Sequence, residues 1–334
     1  MAIHIRRREF IVTLGAAAAW PSIARAQQAG ARVRRIGVMM SAYAQTDREG
    51  QARIGAFIDT LQRLGWADGR NLRIDYRWAA GDVDRGKNFA AELVRSSPDV
   101  IVANGNPVLV ELHRLTSTVP IVFTQVSDPV GSGVVAGFAR PGGNITGFIN
   151  FEAAMGGKWL GVLTEASPSM KRVAVLFGSD APATVAFLRM AETIAPSLGI
   201  QVTSIDVHGG VEIERAVAAF ARQPDGGLIV TPHPSLIANR RSIIVLAAGH
   251  RLPAVYPFRY LAMEGGLMSY GPDQIDQWRG AATYVDRILR GEKPGELPVQ
   301  APTKFEFVIN LKTAKALGLD IPAAFPLRAD EVIE

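Results

Sequence analysis

The sequence lacks cysteine entirely and contains only 5 histidines among its 334 residues. Without thiols, neither a disulfide nor a cysteine nucleophile is available to this chain. The histidines are scattered without the spacing of metal ligands, and the G-x-S-x-G, H-E-x-x-H and G-K-[ST] motifs are missing. We therefore predict that the protein has no metal site, no cofactor and no catalytic activity.

An excess of charge of either sign is also nearly absent. The formal net charge is +5, and four arginines and one glutamate within residues 1–26 account for three of these charges. The small excess that remains does not favour nucleic acid as a partner. Beyond residue 26, no run of roughly 18 uncharged apolar residues occurs, so we expect no transmembrane helix there.

Residues 1–26 have the pattern of an export signal peptide. Basic residues at 6–8 precede an apolar stretch at 11–20 that is too short for a membrane anchor, and an A-x-A cleavage site follows at 24–26. The run R-R-E-F-I at 7–11 is similar to a twin-arginine signal, with the Sec pathway as the alternative. Since no cysteine follows the cleavage site, we expect a periplasmic protein that is not a lipoprotein.

Apolar strands alternate with segments of helical period along the rest of the chain, and this pattern occurs twice. The first helix ends at Gly65 and a later strand follows Pro120, as their counterparts in the second half end at Gly199 and follow Pro253. Alternating strands and helices predict parallel sheets with right-handed crossovers. The duplication therefore predicts an α/β fold of two similar lobes, each with a parallel sheet flanked by helices.

Three crossings between the two lobes are predicted, near residues 150, 270 and 297. They divide the chain into an N-terminal lobe of residues 32–149 plus 270–296 and a C-terminal lobe of residues 150–269 plus 297–334. Each lobe then has the size of an ordinary domain with its own core.

Polar side chains follow the predicted strands of both lobes. Open α/β sheets bind ligands at the carboxyl ends of their strands, so these groups are expected to face a single cleft. Each of them has an alternative role as a helix cap or a turn residue. The candidates are Ser41, Tyr43, Asn104, Gly105, Asn106, Thr124, Ser127 and Asp128 in the first lobe, and Ser179, Asp180, Thr231, His233, Tyr256, Arg259 and Tyr270 in the second.

A glycine-rich stretch at residues 131–137 (G-S-G-V-V-A-G) matches a variant of the dinucleotide-binding loop. Such a loop must lead directly into a full helix whose N-terminus faces the pyrophosphate. Pro141 ends any helix here after about two turns, and no acidic residue follows at a suitable place. We therefore interpret the stretch as a connection between two strands and not as a cofactor site.

Two sets of motifs resemble signatures of the exported ABC-transporter substrate-binding family that includes the tryptophan/tyrosine-type receptors. The first set comprises residues 120–123 (P-I-V-F), 126–131 (V-S-D-P-V-G) and 139–147 (A-R-P-G-G-N-I-T-G), and the second comprises 252–256 (L-P-A-V-Y), Arg259 and 265–271 (G-G-L-M-S-Y-G). The resemblance covers nearly all of the chain after residue 26 and implies the type I periplasmic binding protein fold. Residues 260–264 (Y-L-A-M-E) depart from the acidic-aromatic stretch that is commoner in the family.

The resemblance also implies a receptor, acting as a monomer, whose lobes close over a small molecule and deliver it to an ABC permease in the inner membrane. Its ligand is expected to be an amino acid or an aromatic or carboxylate compound. Two alternatives are an enzyme on the same bilobed scaffold and a ligand-sensing subunit for a membrane signalling partner. The contacts expected for an amino acid are Asp128 with the ammonium, Ser41, Asn104 and Ser179 with the carboxylate, and Tyr43, Tyr256 and Tyr270 with the side chain.

Overall fold

The computed structural model describes residues 32–207, 209–303 and 305–334, so the export signal predicted at 1–26 lies outside the described residues. The first half of the chain alternates strands and helices as predicted. Its elements are β1 (Arg34–Met40), α1 (Arg48–Arg63), β2 (Leu72–Trp78), α2 (Val83–Arg95), β3 (Val100–Asn104), α3 (Asn106–Leu115), β4 (Ile121–Val126) and β5 (Ile145–Ile149).

The second half repeats this order and then extends it. Its elements are α4 (Met155–Ala166), β6 (Arg172–Phe177), α5 (Pro182–Ile194), β7 (Gln201–Asp206), α6 (Gly210–Phe220), β8 (Gly226–Val230), α7 (Pro234–Ala238), α8 (Arg240–Gly249), β9 (Ala254–Tyr256), α9 (Arg259–Met263), β10 (Met268–Pro272), α10 (Gln274–Leu289), β11 (Phe305–Asn310), α11 (Leu311–Leu317) and β12 (Glu331–Ile333). The last helix has the bounds that the sequence predicted.

The strands form two separate sheets, one in each lobe. The N-terminal sheet has the order β2-β1-β3-β4-β5, and the C-terminal sheet has the order β12-β11-β10-β9-β8-β6-β7. The order β2-β1-β3-β4 therefore has the same topology as β7-β6-β8-β9, with parallel neighbours throughout. This match confirms the predicted two-lobed α/β fold. In the C-terminal sheet β11 pairs antiparallel with β10, and β12 pairs parallel with β11, so both run opposite to the other described strands of that sheet.

The central strands are buried along their whole length, which explains their continuous apolar sequences. Strands β3 (V-I-V-A-N) and β8 (G-G-L-I-V) have no exposed residue, because helices cover both faces of a parallel sheet. Helix α1 begins where the carboxylate of Asp47 accepts hydrogen bonds from the N–H groups of Glu49 and Gly50, at 2.9 and 3.1 Å. Local signals of this kind, apolar runs and helix caps, determine where the strands and helices lie in the chain.

The chain crosses between the lobes at slightly different residues from those predicted. The expected crossing at 270 falls inside β10, which pairs with β9 and β11 of the C-terminal sheet through Pro272. Helix α10 then returns to the N-terminal lobe, where Trp278 packs edge-on against Phe57 of α1, with ring centroids 5.9 Å apart. The crossing predicted at 297 also comes before the observed one. The chain is still in contact with the N-terminal lobe at Val299, because its N–H donates to the carbonyl of Phe138 at 2.7 Å.

In the described part of the chain, no helix is both long and apolar enough to cross a bilayer.

Candidate functional site

The carboxyl ends of the two sheets meet at a small cavity between the lobes. Its volume is about 20 Å³, which is room for about one water molecule. A larger ligand can therefore enter only if the lobes move apart. The lining residues are Ser41, Ala42, Tyr43, Asn104, Gly105 and Gln125 from the N-terminal lobe, Asn150 at the first crossing, and Pro232, Pro234, Ile237 and Phe258 from the C-terminal lobe.

Four of the residues predicted for the site line this cavity, all from the N-terminal lobe: Ser41, Tyr43, Asn104 and Gly105. The hydroxyl of Ser41 donates to the carbonyl of Asn104, whose side-chain amide donates to the Gln125 side chain. Gly105 has φ +93°, and a Cβ placed on it would lie 2.5 Å from the Ser41 Oγ. Glycine is therefore required at this position by both its backbone conformation and its surroundings.

Seven lining residues were not among the predicted ones: the polar or aromatic Gln125, Asn150 and Phe258, and the apolar Ala42, Pro232, Pro234 and Ile237. Gln125 has φ +55°, at an irregularity in the pairing of β4 with β5, and its N–H donates to Gln277 of α10 at 3.3 Å. The available signal was position alone, since Gln125 directly follows the strand predicted to end at Thr124. Its left-handed backbone turns the residue toward the cavity, and no sequence pattern indicates that conformation.

Asn150 lies at the first crossing and is 1% exposed. Its N–H donates to the carbonyl of Val126 at 2.8 Å. Its side-chain Oδ1 is buried without a hydrogen-bond partner among the described residues. A buried polar atom of this kind is destabilising by about 1–3 kcal/mol, and at a cavity it can accept a hydrogen bond from a water or a bound molecule.

Four other predicted residues of the N-terminal lobe do not line the cavity. Asn106 and Ser127 bond to each other, through Asn106 Nδ2 to the Ser127 carbonyl at 2.6 Å and the Ser127 N–H to Asn106 Oδ1 at 2.9 Å. Asp128 has φ +47° and accepts the N–H of Gly131 at 2.9 Å, so it shapes a turn. Thr124 is fully buried and its Oγ1 has no partner among the described residues.

The polar candidates after the first strands of the C-terminal lobe hold that lobe together. The hydroxyl of Thr231 donates to the carbonyl of Leu176 at 2.9 Å. His233 caps α7, since its Nδ1 accepts the N–H of Ser235 at 3.3 Å, and its Nε2 lies 3.0 Å from Asp180 Oδ1. Ser179 is exposed, and its N–H donates to the carboxylate of Asp206 at 2.9 Å.

The three remaining candidates also lie outside the cavity lining. Burial in the C-terminal lobe raises the pKa of the Tyr256 phenol. Tyr270 stacks on Phe305, with ring centroids 5.8 Å apart. Arg259 extends along the surface and donates to Glu331 at 2.8 Å. The aromatic wall expected from Tyr256 and Tyr270 is supplied instead by Phe258, since β9 ends before it and turns its side chain toward the cavity.

An ionic contact joins the lobes beside the cavity. Arg240 of the C-terminal lobe lies 2.8 Å from Asp47 of the N-terminal lobe and 3.0 Å from Glu264 of its own lobe. Burial would lower the pKa of the Arg240 guanidinium, but the hydrogen bonds to Glu264 and Asp47 outweigh burial and raise it. We call these three residues the latch. A second contact between the lobes is the hydroxyl of Ser235, which donates to the carbonyl of Gly81 at 3.0 Å.

Arg53 of α1 is buried between aromatic rings of the two lobes. Its guanidinium lies 4.9 Å from the ring centroid of Tyr43 and 5.1 Å from that of Tyr260, whose hydroxyls are 3.2 Å apart. Its Nη1 also donates to the carboxylate of Glu49 at 3.0 Å. Because Tyr260 belongs to the C-terminal lobe, this cation–π sandwich exists only when the lobes are together.

Several acidic residues lie near the lobe interface, which raises the question of a metal ion. Among the residues that the structure describes, no group of three or more His, Cys, Asp or Glu side chains is arranged to hold one.

Comparison with known families relates this geometry to other proteins. Residues 44–333 match the model of a family described as ABC transporter substrate binding protein. A curated relative, the tyrosine-binding protein of Clostridioides difficile, is 25% identical over 264 residues, which are 79% of this chain and 75% of that protein.

Solved structures resemble most of this chain. A conserved domain protein from Vibrio cholerae is 26% identical and superposes with a TM-score of 0.83, covering 90% of this chain and 100% of the other. An ABC domain from Streptococcus pneumoniae, solved in complex with L-Trp, is 23% identical with a TM-score of 0.81 and covers 90% and 99%. The fold is therefore that of the type I periplasmic binding proteins, as the sequence motifs implied.

Proposed function

This chain belongs to the ABC transporter substrate binding protein family, and we propose that it is the receptor of an ABC importer. In this role it binds one small organic molecule between its lobes and presents the closed form to a permease in the membrane. The family binds solutes and is not a family of enzymes. The observation that carries the proposal is the cavity between the carboxyl ends of the two sheets, with the unpartnered Oδ1 of Asn150 buried at its edge.

Binding on this scaffold is a hinge movement between two lobes. The closed arrangement is stabilised by the latch and by the sandwich of Arg53 between Tyr43 and Tyr260. In the closed form a ligand contacts both cavity walls at once, so it binds this form more tightly than the open one. It therefore shifts the equilibrium toward closure, and the size of the shift is set by that difference in affinity.

Aromatic compounds fit the walls of the cavity best. Tyr43 and Phe258 supply aromatic surface from opposite lobes, and Ile237 adds apolar surface. The relatives named for tyrosine and solved with L-Trp agree with this chemistry. An amino acid or another aromatic or carboxylate compound is the ligand class that we propose to test first.

The receptor acts outside the cytoplasm, as a monomer, after export directed by residues 1–26. Its family supports an extracytoplasmic location, and the basic and apolar pattern of those residues supports a signal peptide. The latch and the loops around it change position when the lobes close, which supplies a permease with a surface that differs between the two forms.

Thermal-shift and calorimetric titration of the chain without residues 1–26 test the proposal against aromatic amino acids, their amides and the corresponding acids. A ligand present at 100 times its Kd stabilises the native state by about 2.7 kcal/mol, which is a shift of several degrees in Tm. The matched variants are Ile237→Trp, which fills the cavity, and Val245→Trp, at an exposed position of α8.

We expect Ile237→Trp to abolish binding and Val245→Trp to leave it unchanged, with both variants folded by circular dichroism. Equal binding by the wild type and Ile237→Trp would place the ligand outside this cavity. Turnover of the bound compound would show that the protein is an enzyme and not a receptor.

A further inference from the structure

Among the residues that the structure describes, none of the side chains that line the cavity carries a charge. The polar groups that line it are hydroxyls and carboxamides, those of Ser41, Tyr43, Asn104, Gln125 and Asn150, and the remaining lining residues are apolar. A cavity of this composition offers hydrogen bonds in both directions, but it offers no counter-ion for an ammonium or a carboxylate.

Three charged candidates for a counter-ion, Asp128, Asp180 and Arg53, already have protein partners. Asp128, expected to pair with a ligand ammonium, holds the N–H of Gly131 and does not line the cavity. Asp180 lies 3.0 Å from His233, and Arg53 is held by Glu49 and by two tyrosine rings. A charged ligand group would have to displace one of these contacts to find an opposite charge.

Two features of the cavity define which uncharged groups a ligand must carry. The buried Oδ1 of Asn150 accepts a hydrogen bond and has no donor among the described residues. Gln125, on the N-terminal wall, accepts the Asn104 amide with its side-chain oxygen, so its side-chain NH2 group is available to an acceptor. Together they fit a molecule with an N–H or O–H donor at one end and a carbonyl oxygen at the other.

The free energy of burial in this cavity differs between an uncharged ligand and a charged one. Burying an ion without a counter-ion is destabilising by several kcal/mol, whereas a carboxamide that finds both of its hydrogen bonds is close to neutral. We propose that the ligand of this receptor is an uncharged molecule with a flat apolar face and a carboxamide-like pair of donor and acceptor groups. This inference rests on the proposed function and narrows its ligand class.

Compounds that share a ring and differ in the charge of the polar group they carry test the inference. For an indole ring these are indole-3-acetamide, indole-3-acetate, tryptamine and tryptophan, and for smaller rings they are benzamide with benzoate and nicotinamide with nicotinate. Calorimetry near neutral pH gives the Kd of each compound. We expect the amide to bind at least about tenfold more tightly than every charged compound of the same ring.

The outcomes distinguish the inference from the function on which it rests. If a carboxylate or an amino acid binds as tightly as the amide or more tightly, the receptor stands and the uncharged ligand class is overturned. If no amide and no charged compound binds at millimolar concentration, both proposals fail.

The variant Asn150→Asp gives a second test with its own control. Asn150→Asp places a carboxylate where the unpartnered oxygen lies, so the preference for indole-3-acetamide over tryptamine should fall at least about tenfold. Asn88→Asp adds the same charge at an exposed position of α2 and should leave the preference unchanged. An unchanged preference in a folded Asn150→Asp protein would show that Asn150 does not face the ligand, which overturns the inference.

Discussion

The two lobes share one topology but contribute different chemistry to the cavity between them. The N-terminal wall is polar, with Ser41, Asn104 and Gln125 joined by hydrogen bonds, whereas the C-terminal wall consists of prolines, Ile237 and Phe258. At the matching strand ends of the C-terminal lobe, the polar side chains bond within that lobe. A duplicated fold therefore does not imply a duplicated site, because the same strand end can hold either a ligand group or a structural contact.

The largest effect is expected from a substitution in the polar wall, at the position with the least room for a side chain. Gly105→Ala forces an alanine into φ +93° and places its Cβ against the Ser41 hydroxyl. We expect a loss of about 2–3 kcal/mol in the free energy of unfolding and at least about a tenfold loss of affinity, because the Ser41–Asn104 bond moves.

Gly161→Ala in α4 of the other lobe is the matched control, since nothing lies within 4 Å of its added Cβ. That variant should be as stable as the wild type or more stable by about 0.5–1 kcal/mol. Urea denaturation and calorimetry measure both quantities. Equal stability of the two variants would mean that Gly105 relaxes into an ordinary conformation.

An intermediate effect is expected where the two lobes meet. Asp47→Asn keeps a side-chain cap for α1, because asparagine caps helices as well as aspartate does, but it removes the charge that faces Arg240. We expect ligand affinity to fall roughly three- to tenfold, since the closed form loses about 1 kcal/mol. Small-angle scattering should show a more open average shape of the free protein.

Salt provides the control for this prediction. Ionic strength screens the wild-type contact, so wild-type affinity should decrease with added salt, whereas the Asp47→Asn protein should respond less. The same salt dependence of affinity in both proteins would show that the latch does not contribute to closure.

The smallest effect is expected from a substitution in the C-terminal lobe, which tests whether only the N-terminal wall supplies polar groups to the ligand. Thr231→Val removes the hydroxyl that donates to the Leu176 carbonyl inside the C-terminal lobe. We expect about 1–2 kcal/mol less stability and an unchanged ligand Kd. Ser41→Ala, in the other wall, should instead lower affinity more than stability. A clear loss of affinity in the folded Thr231→Val protein would show that both lobes contribute polar groups after all.

The local elements were predictable because short-range signals specify them. Strand β8 is a continuous apolar run, and α11 has the predicted bounds Leu311–Leu317. The crossings were less predictable. Residue 270 lies in β10 because Met268–Pro272 pairs with two strands that are distant in the chain, and no local pattern reports such pairing.

The rule that ligands bind at the carboxyl ends of strands predicts a site at the edge where the cavity lies. Of the predicted residues, Ser41, Tyr43, Asn104 and Gly105 line this cavity. Gln125 and Asn150 were missed, because a strained backbone turns one of them and the first crossing positions the other. Neither feature leaves a periodic signal in the sequence.

The sequence by itself determined the alternation of strands and helices, the duplication into two lobes and the edge at which the lobes meet. These properties follow from burial period and helix capping, which depend on neighbours within a few residues. Tertiary structure alone decided which polar groups remain available to a ligand, since Asp128 closes a turn while Asn150 keeps an open acceptor. It also decided that Arg53 lies between tyrosines of different lobes, because contacts between segments far apart in the chain depend on distances that only folding establishes.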